Sequence, residues 1–211
     1  MKFFCVFLLV LFCHAAAFSQ RPGIRKGVLR ISLLKMKNAG HVDLYNEDGK
    51  LFCRVFKKGK GDFSIRKSTN VIDDSLLNNT RSCYLDYGVL IFDTDSTYAG
   101  GKISVFVGNE KKYLDVQRIP GLVVAQSWPV FLKSVFFKLS PAAGMYTAGP
   151  NKGRKVAAAV NYSYIVKSVR NDWVFVECVK TCEECPRGRM VQGWVRWKEG
   201  EKLLIELYYF C

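Results

Sequence analysis

Histidine is nearly absent from this chain: its 211 residues include only His14 and His41. That scarcity weighs against hydrolases whose nucleophile needs an imidazole base, because such a site is a set of mutually placed groups and not one residue type. His14 falls in an apolar leader, and His41 opens a strand with no cysteine beside it in sequence. No Gly-rich phosphate loop, Gly-x-Ser-x-Gly elbow or His-Glu-x-x-His segment occurs, which argues against the chemistries those segments carry. Long apolar runs are also lacking. Phe3 to Phe12 is shorter than the ~20 residues a membrane-spanning helix needs. Acidic residues are few, 18 against 32 Lys and Arg, so the net charge is +14. There is no low-complexity tract and no repeat of solenoid period. These absences leave a non-enzymatic, basic protein as the expectation.

What is present begins with a leader. Met1-Lys2, the apolar run and Ala15-Ala16-Ala17-Phe18-Ser19 have the layout of a cleaved signal peptide, residues 1–19, with cleavage after Ala17 or Ser19 fitting equally. Export to a periplasm, outer-membrane surface or extracellular space follows as the expectation, with no transmembrane segment. The remaining cysteines are Cys53, Cys83, Cys178, Cys182, Cys185 and Cys211, an even set suited to disulfides in an oxidising compartment. The simplest partition pairs Cys53 with Cys83 and keeps the other four together. The basic charge lies in short clusters at expected turns, which reads as a solvated surface. An anionic lipid, glycan or nucleic acid could meet it, but no stripe of Lys or Arg marks a specific nucleic-acid partner. The oligomeric state is open.

Short strands with turn signals fill the chain and predict an all-β protein. Gly27 to Leu34 reads as a strand. Val42 to Tyr45 meets Lys50 to Phe56 across an acidic turn ending in Asp48-Gly49, with Leu51, Cys53 and Val55 on one face. Tyr87 to Phe92 is an apolar strand, Asp93 to Gly101 a long turn, and Lys102 to Val107 and Lys111 to Val116 are short strands either side of Gly108-Asn109-Glu110. Ser127 to Leu139 carries Trp128, Phe131, Leu132, Val135 and Phe136 at helical spacing behind Pro129, so it predicts a short helix, with a buried strand as second choice. Ser140 to Gly144 breaks that pattern. The expected layout is an N-terminal β domain over 20–139 and a second over 140–211. In the second, Tyr162 to Val169, Trp173 to Val176 and a final hairpin of Gly193 to Trp197 with Lys202 to Tyr208 are the main strands.

The loop with Gly149-Pro150, the strand with Tyr164-Ile165-Val166, the turn-strand Asn171-Asp172-Trp173-Val174-Phe175-Val176 and Gly193-Trp194-Val195 together resemble a bacterial SH3-like domain. The resemblance covers about Pro141 to Tyr209 and implies a small barrel in an exported bacterial protein. It departs from that pattern in the insertion Glu177 to Met190. Leu90 to Val116 could belong to a divergent second copy. SH3-like domains of this kind often accompany cell-wall cysteine peptidases, and here only His41 could supply their base.

Two constellations carry chemical alternatives. Cys178, Cys182 and Cys185 have the Cys-x3-Cys-x2-Cys spacing of radical-enzyme iron–sulfur sites, without the α/β context such a cluster requires. With Cys211 they would make a four-thiolate zinc site, the one cofactor to weigh, or a redox centre; disulfides are preferred. Val89 to Thr97, with Asp93 and Asp95, resembles the first motif of haloacid-dehalogenase-type phosphatases, which implies Asp93 as nucleophile in a parallel sheet. A polar hairpin loop is the preferred reading of those aspartates, and calcium binding with Thr97 lacks the required glycine.

Aromatics remain. Trp173 is expected in the core, as is one of Trp194 and Trp197. Those two lie three apart on one strand and so face opposite sides. Tyr162, Tyr164, Trp194, Arg196, Trp197 and Tyr208 are the candidate ligand-binding residues, since an aromatic beside an arginine can stack on a sugar or grip a peptide. The expectation is therefore a binding module for an envelope peptide, glycan or protein.

Overall fold

A computed structural model describes residues 24–37, 40–59, 61–95, 98–99, 101–140, 143–149, 153–156, 162–179, 185 and 191–208. The protein is all-β, as the turn-punctuated strands predict. The N-terminal strands are β1 (Gly27–Ser32), β2 (His41–Tyr45), β3 (Leu51–Lys57), β4 (Phe63–Lys67), β5 (Ser82–Tyr84), β6 (Val89–Thr94), β7 (Tyr98–Ala99), β8 (Lys102–Val107), β9 (Glu110–Asp115) and β10 (Val123–Ser127). They form one antiparallel sheet in the order β10-β1-β6-β8-β9-β2-β3-β4, with β5 beside β6 and β7 beside β8. The Asp48-Gly49 turn joins β2 to β3 as expected, and Gly49 takes the positive φ of 79° that only glycine adopts freely. Cys53 and Val55 point into the core, with Phe52 and Phe56 on the opposite, half-buried face.

The helix expected over 127–139 is shorter. α1 spans Trp128–Leu132, and the chain then enters β11 (Phe136–Leu139). The second-choice strand reading holds for those last residues. Pro129 starts the helix, Ser134 donates its hydroxyl to the Phe131 carbonyl (2.7 Å), and the aromatic pair Phe136-Phe137 suits a half-buried strand better than a third helical turn.

β11 belongs to a second antiparallel sheet with β12 (Met145–Tyr146), β13 (Lys155–Val156), β14 (Tyr164–Arg170), β15 (Trp173–Cys178), β16 (Gln192–Arg196) and β19 (Ile205–Tyr208). The order is β13-β12-β16-β15-β14-β11-β19. The expected break at Ser140 therefore falls inside this unit, after its first strand. Asn171, at φ 52°, makes the tight turn between β14 and β15. The expected last hairpin is corrected. β17 (Lys198–Glu199) and β18 (Lys202–Leu203) form a separate ribbon, and β19 crosses to the far edge to pair with β11, placing Phe136 opposite Tyr208.

Among the described residues two hydrophobic cores form, and one is shared between the sheets. Leu29, Ile31, Leu90 and Phe92 point into the first core, with Val42, Leu44, Val55 and Val105. Their neighbours Val28, Val89 and Ile91 point the other way, into a core with α1, Tyr164, Val174, Val195 and Ile205. β6 is thus buried on both faces, which is why it reads as an unbroken apolar run and not as an alternation. Trp128 sits at the joint. Its ring lies 5.6 Å from Trp197, its indole N–H donates to the Arg25 carbonyl (3.0 Å), and the Arg81 guanidinium lies 5.3 Å from the ring.

Candidate functional site

Among the described residues, the β12–β16–β15 end of the second sheet's outward face gathers four aromatic side chains and two arginines. Along β15 the burial alternates: Val174, Val176 and Cys178 face inward, while Trp173, Phe175 and Glu177 are half-buried on the outer side. The antiparallel register then sets the neighbours. Phe175 pairs with Trp194 and Trp173 with Arg196 across β15–β16; Trp194 pairs with Tyr146 across β16–β12; Trp173 pairs with Arg170 across β14–β15. Directly paired residues share a face. One row reads Tyr146, Trp194, Phe175; the next reads Arg196, Trp173, Arg170. Phe175 and Trp194 have ring centroids 5.6 Å apart, and Tyr146 meets Trp173 edge-on at 5.7 Å. The Arg170 guanidinium lies 5.8 Å from the Trp194 ring, and Arg196 is held by Glu199 at 2.7 Å.

One glycine, Gly193, permits this arrangement. A Cβ on Gly193 would stand 2.5 Å from Met145 Cγ and 2.9 Å from the Tyr146 carbonyl oxygen, so only glycine lets β12 approach β16. Gly149 lies beside the platform, where a Cβ would make ordinary contact at 3.9 Å with Trp194 and Arg170, so glycine is not required there. The Gly-Trp pair that suggested a barrel strand is therefore a packing requirement beside a surface aromatic.

The six expected ligand-binding residues part company here. Trp194 and Arg196 lie on the platform. Tyr164 is fully buried and stacks on Phe137 at 5.8 Å, so it presents no face to a ligand. Trp197, 2% exposed, donates its indole N–H to the Asn171 carbonyl (2.9 Å) and belongs to the shared core. Tyr162 packs against Tyr164 at the core margin, and Tyr208 stacks on Phe136 under Lys138, away from Trp194. Trp194 and Trp197 do not share one strand as expected: Trp197 lies just past the end of β16, in the link to β17, where it is buried. Trp173, expected in the core, is corrected to the outer face. Phe175, Arg170, Tyr146 and Trp173 itself are the platform members absent from the six candidates; alternation with buried Val174 and Val176 was the signal that could have found Phe175.

The other candidates resolve differently. Cys178 and Cys185 form a disulfide closing the inserted loop. Sulfurs already joined cannot act as thiolate ligands, so the zinc, iron–sulfur and dithiol readings of the Cys178, Cys182, Cys185 and Cys211 set lose two members; Cys182 and Cys211 lie outside the described residues. Among the described residues no cluster of His, Cys, Asp and Glu is arranged to hold a metal. Cys53 and Cys83 are free thiols, not the expected disulfide, and burial pushes Cys53 up to about 12 and Cys83 up to about 11.

Asp93 is not in a loop. It lies within β6 between antiparallel neighbours, unlike the parallel sheet that the phosphatase resemblance implies. Its carboxylate meets Arg81 through Nη2–Oδ2 at 2.6 Å and Nε–Oδ1 at 3.3 Å, with the two side chains 1% and 4% exposed. Burial raises the Asp93 carboxyl above its ordinary value, and Arg81 opposes that shift. No substrate reaches a carboxylate so enclosed. Asp95 is partly exposed, 4.0 Å from Lys111, and Thr97 lies outside the described residues. His41 is a surface residue, 3.5 Å from Asp43. No helix among the described residues is long and apolar enough to cross a membrane.

No family model matches this chain, and no curated protein or solved structure matches it either.

Proposed function

We propose that the chain is an exported, non-enzymatic binding module whose second sheet, similar to a bacterial SH3-like domain, takes an extended cell-envelope peptide or glycan across its outer face. The observation that carries this reading is the Tyr146, Trp194, Phe175 and Trp173 platform with an arginine at Arg170 and another at Arg196. Aromatic faces stack on sugar rings or apolar side chains and bury a large area in doing so. The arginines add bidentate recognition of carboxylates, and the net charge of +14 favours an acidic ligand. Free carboxylates on envelope peptides and acidic sugars meet these demands.

Titration of the purified protein with soluble peptidoglycan fragments and acidic oligosaccharides, read by tryptophan fluorescence, tests the reading. Trp194→Ala should weaken binding about tenfold while the far-UV spectrum stays unchanged. Binding that ignores Trp194→Ala and Phe175→Ala, or no binding to any envelope fragment, overturns it. Export is tested separately by the mass of the protein recovered outside the cytoplasm, which should begin at Phe18 or Gln20.

A further inference from the structure

A second site lies on the first sheet, remote in sequence from the aromatic platform. The turn after β1, the outer face of β2 and the turn after β9 enclose a cleft of about 570 Å³, a size that holds a small organic molecule. Its floor is apolar: Met36 and Ile119 are each 5% exposed, with Pro120 and Leu122 beside them. The wall at Met36 is set by Gly40, where a Cβ would stand 2.5 Å from Met36 Cγ and 2.9 Å from the Lys37 carbonyl oxygen.

The rim is cationic once internal pairs are subtracted. Both Asp43 oxygens are engaged by Arg54, at 2.6 and 2.8 Å, from outside the cleft. Asp115 is met by Arg118 Nε at 3.1 Å and also accepts the Gln117 backbone N–H. Lys35 and Lys37 then stand as surplus charge at the mouth. Arg118 also reaches the Tyr45 hydroxyl with Nη1 at 3.4 Å and is 68% exposed on its side chain, so its remaining N–H groups are available to a ligand. His41, 42% exposed, adds a polar edge on the same face of β2 as Asp43 and Tyr45.

We infer that this cleft binds a small amphiphilic anion, its apolar body on Met36, Ile119 and Leu122 and its carboxylate or similar head among Lys35, Lys37 and Arg118. Apolar floor and cationic rim are both required: a bare anion would find no reason to prefer this cleft over the other basic clusters, and a neutral apolar molecule would leave the surplus charge uncompensated. The inference does not depend on the aromatic platform.

The experiment uses the full chain with phenylbutyrate, its uncharged analogue phenylbutanol, and acetate, followed by amide chemical-shift perturbation and calorimetry. Phenylbutyrate should saturate with shifts centred on Met36, His41 and Ile119. Phenylbutanol, which loses the charge-assisted hydrogen bonds, and acetate, which loses the buried apolar body, should each bind about tenfold more weakly or worse. The triple variant Lys35→Gln, Lys37→Gln, Arg118→Gln changes exposed side chains and should bring phenylbutyrate down to the affinity of phenylbutanol with the melting temperature held. Non-saturating shifts, equal affinity for acid and alcohol, or shifts centred on Trp194 overturn the inference.

Discussion

Arg81 and Asp93 form an ion pair buried where the two sheets meet, with Nη2–Oδ2 at 2.6 Å and 4% and 1% of the side chains exposed. Arg81 comes from the segment before β5 and Asp93 from the doubly covered strand β6, and the guanidinium also lies over the Trp128 ring. A buried pair of this kind is sensitive to the loss of one partner, because the other is left as an uncompensated charge in a poor solvent. Arg81→Met should therefore cost roughly 3–5 kcal/mol in urea unfolding, and adding Asp93→Leu should recover much of it. The sign of the pH effect follows from burial, which raises the folded Asp93 carboxyl above its ordinary value. In Arg81→Met the opposing charge is gone. The deficit should thus be small below the unfolded carboxylate range and grow as pH rises through the folded value. A deficit that grows on acidification instead would contradict this.

Gly193 is a second sensitive point, for steric reasons. Gly193→Ala would place a Cβ 2.9 Å from the Tyr146 carbonyl oxygen, a backbone atom that cannot rotate away. The expected cost is about 1–3 kcal/mol, as for overpacking elsewhere. Displacing β12 should also pull Tyr146 from Trp173, now at 5.7 Å, and alter the near-UV circular dichroism. Unchanged stability and spectrum would show that β12 is not held as described.

The thiols of Cys53 and Cys83 should be inert in the folded protein. Cys53 is fully buried and Cys83 partly so, and both have raised values, about 12 and about 11. Thiolate is the reactive form. Alkylation at mildly alkaline pH followed by peptide mass analysis should leave both unmodified in the native protein and label both after denaturation. A peptide carrying a Cys53–Cys83 link would contradict the free-thiol state. Because the folded values are raised, stability from these groups is intact below the ordinary thiol value of 9.0 and is lost as pH rises towards about 11–12. Cys53→Ala should flatten part of that alkaline decline.

The β character of the chain was legible in its residues. Turn chemistry at Asp48-Gly49 and Asn171-Asp172, alternation in β3, and the apolar runs of β6 and β15 each act over a few residues, so local sequence determines them. What joins distant segments was not legible. That Phe136–Leu139 leaves the helix to pair with Ile205–Tyr208, that Trp173 turns outward, and that Asp93 meets Arg81 depend on which sheet covers which face. Tyr164 and Trp194 look alike in sequence, yet one fills the shared core and the other joins the platform. Periodicity assigns a side chain to a face; only the tertiary structure decides whether that face meets another sheet or solvent, because burial is a property of the partner surface and not of the strand.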